Sequence, residues 1–193
     1  ASWLRRRAPD VVACNPPYVP EPPDAPNALV AGAGPDGARH PKRALAVHAR
    51  GSRPRVALSW CSLGDPVGVT RAAARRGYVL ESLWAAALAD GEYTGSALPY
   101  YRTLDTAFLD ESRATRLALA SDGAARFGYL LLAGSFTRGD RDAARPGIRL
   151  VSRLVRRFAR SGIDAFDGLP VHGYVCDRWD ELRLRIAAHG QSN

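Results

Sequence analysis

Apolar residues fall along this chain in short runs separated by proline- and glycine-rich stretches. Residues 10–14 end in Val11-Val12-Ala13-Cys14, a fully apolar run of the kind that forms a buried parallel strand. Residues 21–41 are rich in proline, glycine and alanine and read as a long loop, and loops of that length are usually functional. A short helix is expected over 41–50 and the next apolar strand over 55–61. Asp65 supplies a helix N-cap with Pro66 at the first helical position, and Gly77 follows Ala74-Arg75-Arg76 as a stop. Residues 78–84 and 127–136 are expected as two further strands, an antiparallel pair closing the sheet. Beyond Arg141, Ile148, Val151, Leu154, Val155 and Phe158 recur at helical spacing, while Arg153, Arg156, Arg157 and Arg160 fall largely on other faces. A strand over 171–176 and a final helix over 177–189 complete the pattern. The alternation is that of an α/β chain, the second half of a doubly wound sheet.

The chemistry is concentrated where the first apolar run ends, at Asn15-Pro16-Pro17-Tyr18. The Asn15 side-chain carbonyl can accept one hydrogen of an NH2 group and the Pro16 backbone carbonyl the other, and neither proline brings a competing N–H. The prolines fix both acceptors in advance, and the Tyr18 ring can stack on a flat amide or base. Such a clamp suits alkylation of a planar nitrogen whose lone pair is otherwise delocalised.

The stretch Pro9-Asp10-Val11-Val12-Ala13-Cys14-Asn15-Pro16-Pro17-Tyr18-Val19-Pro20 resembles the class I S-adenosylmethionine-dependent methyltransferases that act on amide or amino nitrogen. It looks most like the glutamine methyltransferases that modify peptide chain release factors, and Ala33-Gly34-Pro35-Asp36-Gly37 is similar to the glycine-rich segment that follows the clamp in those enzymes. The resemblance implies a Rossmann-like fold, S-adenosylmethionine as cofactor, Asn15, Pro16, Pro17 and Tyr18 as the catalytic clamp, and Asn15 on the cofactor side as well. It also implies a role for Trp3, which sits where the family places a residue against the adenine ring; Trp3 either stacks there or pins the start of the chain to the sheet.

In that family a glycine-rich cofactor loop and an acidic residue for the ribose lie well before the clamp. Fourteen residues precede Asn15 and hold no such loop, and the chain contains no methionine, so the expectation is the C-terminal part of a longer enzyme. Residues 1–140 are expected as a partial methyltransferase catalytic domain and 141–193 as a C-terminal extension or appended subdomain. An insertion at about 89–126 carries Tyr93, Tyr100, Tyr101 and a helix expected over 105–120. It either caps the substrate entrance or decorates the sheet edge, with decoration and packing tyrosines preferred.

Composition adds less. The 193 residues suffice for one core, and no apolar run of membrane-spanning length and no signal peptide is present. Cys14, Cys61 and Cys176 form no Cys-x-x-Cys pair and read as free thiols of a cytoplasmic protein. His40, His48, His172 and His189 lack metal-ligand spacing, so no metal is expected. Ser59-Trp60-Cys61-Ser62 lacks the glycine frame of a nucleophile elbow, and Gly32, Gly34 and Gly37 do not make a dinucleotide fingerprint. Glu21 and Asp36 read as solvated loop carboxylates.

The net charge of +8 and pI near 10.0 invite a nucleic-acid partner. Lys42 is the one lysine, the arginines scatter along the sequence, and an alanine-, glycine- and proline-rich composition fits a GC-rich coding sequence equally well. The arginines of the helix after 141 read first as snorkelling side chains rather than a membrane or RNA contact.

The expected function is methyl transfer from S-adenosylmethionine to a planar nitrogen held at Asn15 and Pro16, with the protein supplying orientation and charge placement. A glutamine amide in a release factor or ribosome-associated protein is the first substrate. The alternatives are the exocyclic amine of adenine in nucleic acid, or a truncated protein that binds without turnover.

Overall fold

The computed structural model of the chain describes residues 9–22, 33–46, 54–89, 100–101, 120–121, 127–161, 172–176 and 182–185. Along the chain these form β1 (Val11–Cys14), α1 (Arg39–Ala44), β2 (Arg55–Cys61), α2 (Pro66–Arg75), β3 (Tyr78–Ala89), β4 (Ala120–Ser121), β5 (Phe127–Arg138), α3 (Arg141–Ser161), β6 (His172–Cys176) and β7 (Leu182–Arg185). The strands make one open mixed sheet in the order β1-β2-β5-β3-β6-β7, with the short β4 paired to β5. β1 and β2 are parallel, and β5 inserts antiparallel between β2 and β3. The fold is α/β.

Alternation decides which face of each strand is covered. Val56, Leu58 and Trp60 of β2 are buried while Ala57 and Ser59 between them are less so. In β5, Leu130, Leu132 and Phe136 are fully buried, and Phe136 meets Trp60 with ring centroids 5.7 Å apart. A register shift between Leu80 and Ser82 resets the alternation in β3, so that Leu80 and Leu83, three apart, both enter the core. The covering layer is helical. Val67, Val69 and Ala73 of α2 and Leu150, Val151, Leu154, Val155 and Phe158 of α3 join the same core cluster.

The helix boundaries follow local chemistry. The Asp65 carboxylate accepts the Gly68 amide at 2.8 Å to cap α2, Pro66 opens the helix, and Gly77 at φ 74° stops it. Asp140 caps α3 in the same way through the Ala143 amide at 2.8 Å. Pro146 sits inside α3, and Gly147 beside it lets the helix close on Leu80, since a Cβ there would lie 2.7 Å from the Leu80 Cβ.

Four expectations are corrected. β1 is not buried on both faces: among the described residues it pairs with β2 alone, Val11 is 56% exposed and Ala13 is exposed. Its apolar run faces covering helices through one side alone, with Cys14 against the core. The final helix over 177–189 is replaced, where described, by β7, whose Leu182-Arg183-Leu184-Arg185 has the period of a strand and pairs with β6. The helix expected at 41–50 is Arg39–Ala44, six residues beginning earlier. The closing strands run further than expected, to Ala89 and Arg138. Residues 105–119 of the helix expected over 105–120, Tyr93 and Trp3 lie outside the described residues, and Ala120, its last residue, belongs to β4. The chain beyond 141 continues the same structure, through the core face of α3 and the pairing of β6 with β3.

Candidate functional site

Because β1 and β2 are parallel, their carboxyl ends lie side by side, and the chain leaves β1 there through the clamp. Asn15 follows Val11 and Ala13 in alternation, on the sheet face away from the helices, and is exposed. Ser59 of β2 lies on that face too, and its hydroxyl donates to the Asn15 Oδ1. An amide oxygen has two lone pairs, so this bond turns the Asn15 carbonyl and leaves one acceptor position open. Pro16 is half-buried, Pro17 exposed and Tyr18 half-buried.

Tyr18 ties the clamp to the sheet. Its carbonyl accepts from the Cys61 thiol at 3.3 Å, and its side chain touches both the main core and a smaller cluster. That cluster is built from buried Cys61, Leu63 and Tyr101, with Val19, Tyr100 and Tyr129 packed around them. Two tyrosines of the insertion therefore pack behind the clamp.

The glycine-rich segment lies directly on it. Gly37, at φ 60°, packs so closely that a Cβ would lie 2.8 Å from the Tyr18 carbonyl oxygen and 2.9 Å from the Pro20 ring. The Gly34 carbonyl, at φ 78°, accepts from the amides of Gly37 at 3.0 Å and Glu21 at 3.3 Å. Tyr100 donates its hydroxyl to the Pro35 carbonyl at 3.3 Å. The two sequence motifs are thus one packed unit at the ends of β1 and β2.

A charge bridge anchors that unit to the turn after β2. The Lys42 ammonium lies 2.8 Å from Asp36 Oδ2 and 3.0 Å from Asp65 Oδ2, each side chain about a quarter exposed. Asp36 Oδ1 accepts the Ala38 amide and the Asp36 carbonyl accepts the Asp65 amide at 2.9 Å. Asp36 is therefore not a solvated loop carboxylate, as its sequence setting implied; it is a structural hub. Burial alone would lower the Lys42 pKa, but hydrogen bonds and charge from Asp36 and Asp65 raise it above its ordinary value, keeping the ammonium charged.

Burial favours the neutral forms of the thiol and phenols packed behind the clamp. Burial pushes the Cys61 thiol up to about 12 against the opposing pull of the Leu63 and Gly64 backbone amides. Tyr129 is pushed up to about 12, by burial first and then by Cys61 and Tyr18. Burial, then Cys61, also raises Tyr18, and burial is the first cause for Tyr101 as well. The wall behind Asn15 is aromatic, uncharged and unable to abstract a proton near neutral pH. It presents acceptors rather than bases.

Sequence reasoning named Asn15, Pro16, Pro17 and Tyr18, and the structure brings Asn15 and Tyr18 to the mouth of β1 with the glycine-rich segment against Tyr18 and Pro20. It missed Ser59, Cys61, Lys42, Asp65 and Tyr129. Ser59 and Cys61 were legible as alternate residues of a strand parallel to β1; the one lysine in an arginine-rich chain was the signal for the bridge. Among the described residues no cluster of His, Cys, Asp and Glu has the makings of a metal site, and no helix is long and apolar enough to cross a membrane.

No protein-family model, curated protein or solved structure matches this chain.

Proposed function

We propose that this chain carries the acceptor side of an S-adenosylmethionine-dependent N-methyltransferase of Rossmann-like architecture, and that its acceptor is a glutamine side-chain amide in a protein such as a release factor. The observation that carries the reading is the packing of residues 15–20 and 33–37 into one unit at the carboxyl ends of β1 and β2, Gly37 against the Tyr18 carbonyl and Asn15 exposed. In open α/β sheets ligands bind outside the carboxyl ends of the strands. The insertion of β5 antiparallel between β2 and β3 supports it too, as the closing pair the resemblance implies.

S-adenosylmethionine would supply an electrophilic methyl group. Of the described residues, Asn15 is the one that would face it, and no glycine-rich strand-to-helix turn accompanies it. The described chain thus fits the acceptor and not, by itself, a whole cofactor pocket.

On this reading the open lone pair of Asn15 Oδ1 and the Pro16 carbonyl take the two hydrogens of the incoming amide, and Ser59 fixes the direction in which Oδ1 points. Positive charge growing on the nitrogen strengthens both bonds, so the site favours the transition state over the bound amide, and the methylated nitrogen then releases one of its two hydrogens as a proton to water. Tyr18 flanks the amide plane, and its neutral neighbours leave the acceptor uncharged on entry.

The test is transfer of a radiolabelled methyl group from S-adenosylmethionine to a release factor, for the wild-type protein and Asn15→Ala. Label on a glutamine amide, lost in Asn15→Ala, supports the reading. Label on adenine of added nucleic acid replaces the substrate, and transfer that survives Asn15→Ala overturns the mechanism.

A further inference from the structure

At the opposite end of the strands from Asn15, a cleft of about 780 Å³ opens where α2 ends and α3 begins. Arg75, Arg76, Arg138 and Arg141 line it. Pairing fixes its place: Tyr78 is opposite Arg138, and Phe136 opposite Val56, at the amino-terminal ends of β2 and β1. One carboxylate shares the cleft, Asp140, which accepts the Ala143 amide at the start of α3.

The charge continues along α3. Arg141, Arg145, Arg149, Arg153, Arg156 and Arg157 are all exposed, on the half of the helix opposite buried Leu150, Val151, Leu154, Val155 and Phe158. Asp142, paired with Arg145 at 3.0 Å, is the one acid among them. Arginines that scatter in sequence are thus gathered by the fold into a cleft and a stripe. A composition bias alone does not sort charge this way, because the whole chain carries 19 acids to 27 basic residues.

We propose that this cleft and stripe form a binding surface for the phosphate backbone of RNA. From Arg141 to Arg157 the stripe is about 24 Å long at 1.5 Å per residue, the length over which one duplex strand presents roughly seven phosphates. Guanidinium forks match phosphate oxygens in pairs. The exposed large apolar residues among those described are Val11 and Trp84, neither of them on α2 or α3, so the surface has no anchor for insertion into a bilayer and no aromatic to stack a base. It therefore holds backbone without reading sequence. Its place, at the opposite end of the strands from Asn15, makes it a docking surface independent of the acceptor clamp and of the methyl-transfer reading.

The test is fluorescence anisotropy of the full chain with a labelled 20-nucleotide uridine RNA and a labelled 20-base-pair RNA duplex, over a salt series. Binding is expected for both, with log affinity falling against log salt at a slope of about −3 or steeper. Arg138→Glu with Arg141→Glu, and separately Arg153→Glu with Arg156→Glu, each weaken binding tenfold or more with unchanged circular dichroism. Arg43→Glu, a single charge reversal on α1, changes it less than twofold. Absent or salt-insensitive RNA binding overturns the proposal, as does equal loss in Arg43→Glu. So does equal or tighter binding to phosphatidylserine vesicles or to polyglutamate.

Discussion

Replacing Gly37 by alanine probes the contact on which the candidate site rests. At φ 60° an L-residue costs about 1–2 kcal/mol more than glycine. The new methyl would also stand 2.8 Å from the Tyr18 carbonyl oxygen and 2.9 Å from two carbons of the Pro20 ring. Neither neighbour is the free end of a flexible side chain, and overpacking of that kind costs about 1–3 kcal/mol. A loop held rigidly would therefore lose about 2–5 kcal/mol. The loop has a cheaper exit, which is to release the Gly34–Glu21 bond and the Lys42 bridge, worth together about 2–3 kcal/mol. The expected loss is the lower figure, about 2–3 kcal/mol, read from the midpoint of urea denaturation with an unchanged m-value. Gly34→Ala is the internal comparison. Its φ of 78° carries the same strain, but its nearest neighbour, the Arg39 Cβ, stands at 3.2 Å rather than 2.8 Å, so the loss should stay near 1–2 kcal/mol. A Gly37→Ala protein within about 0.5 kcal/mol of wild type, or one less affected than Gly34→Ala, would refute the packing of the glycine-rich segment on the clamp.

Lys42→Met should cost about 1–2 kcal/mol, between an exposed and a buried pair, because Asp36 and Asp65 then face each other without a cation. Since the Lys42 pKa is raised in the fold, its contribution is fully present below its ordinary value of 10.5 and is lost as pH climbs through the raised value. The wild-type advantage over Lys42→Met in urea melts should thus hold from pH 7 to 9 and shrink above 10.5; an advantage that grows at high pH contradicts the bridge. Asp65→Asn keeps a capping oxygen and loses the ion pair, whereas Asp65→Ala loses both, so thermal melts should rank them wild type, Asn, Ala, with a cap worth about 1 kcal/mol separating the last two. Ser59→Ala should leave stability within about 1 kcal/mol but shift the Asn15 side-chain amide resonances in a nitrogen-15 correlation spectrum, and unmoved resonances rule out the Ser59–Asn15 bond. Cys61, with its thiol pushed up to about 12, should resist iodoacetamide in the native protein at pH 8 and react on unfolding; mass mapping of equal native labelling would reject the buried wall.

What the sequence disclosed was punctuation and period. Asp65, Pro66 and Gly77 mark both ends of α2 by local chemistry, and β2 is read to its last residue because apolar residues fill it between proline and glycine. The core face of α3 follows from helical spacing alone. What it concealed depends on which strand lies beside which. Val11-Val12-Ala13-Cys14 has the composition of a strand buried on both faces, yet among the described residues only Cys14 of it packs on the core and Val11 and Ala13 are left exposed, which no local pattern encodes. The four-residue alternation of β7 was hidden behind the charged residues Asp177, Arg178, Asp180 and Glu181. Lys42 reaches partners six and twenty-three residues away, and only the folding of the glycine-rich segment onto the turn after β2 makes those separations short. The clamp was legible because its four residues are contiguous; its supports were not, because they come from three segments.

Those supports favour orientation over activation as the role of the site. A site that activates its acceptor needs a group able to take a proton near neutral pH or a free charge beside the reacting atom. Around Asn15 the thiol of Cys61 and the phenols of Tyr18, Tyr101 and Tyr129 are all shifted away from that range by burial. The nearby cation, Lys42, is held between two carboxylates and faces them rather than the clamp. What remains is one carbonyl aimed by Ser59, a proline carbonyl fixed by its own ring, and an aromatic wall. On the proposed function each would hold a planar, neutral, NH2-bearing group still, and none would change its protonation. An unreactive nitrogen is served by such a site only if the other reactant is itself strongly electrophilic. The neutral wall therefore argues for an acceptor that is held rather than activated, a demand that an amide meets and a carboxylate or ammonium group does not.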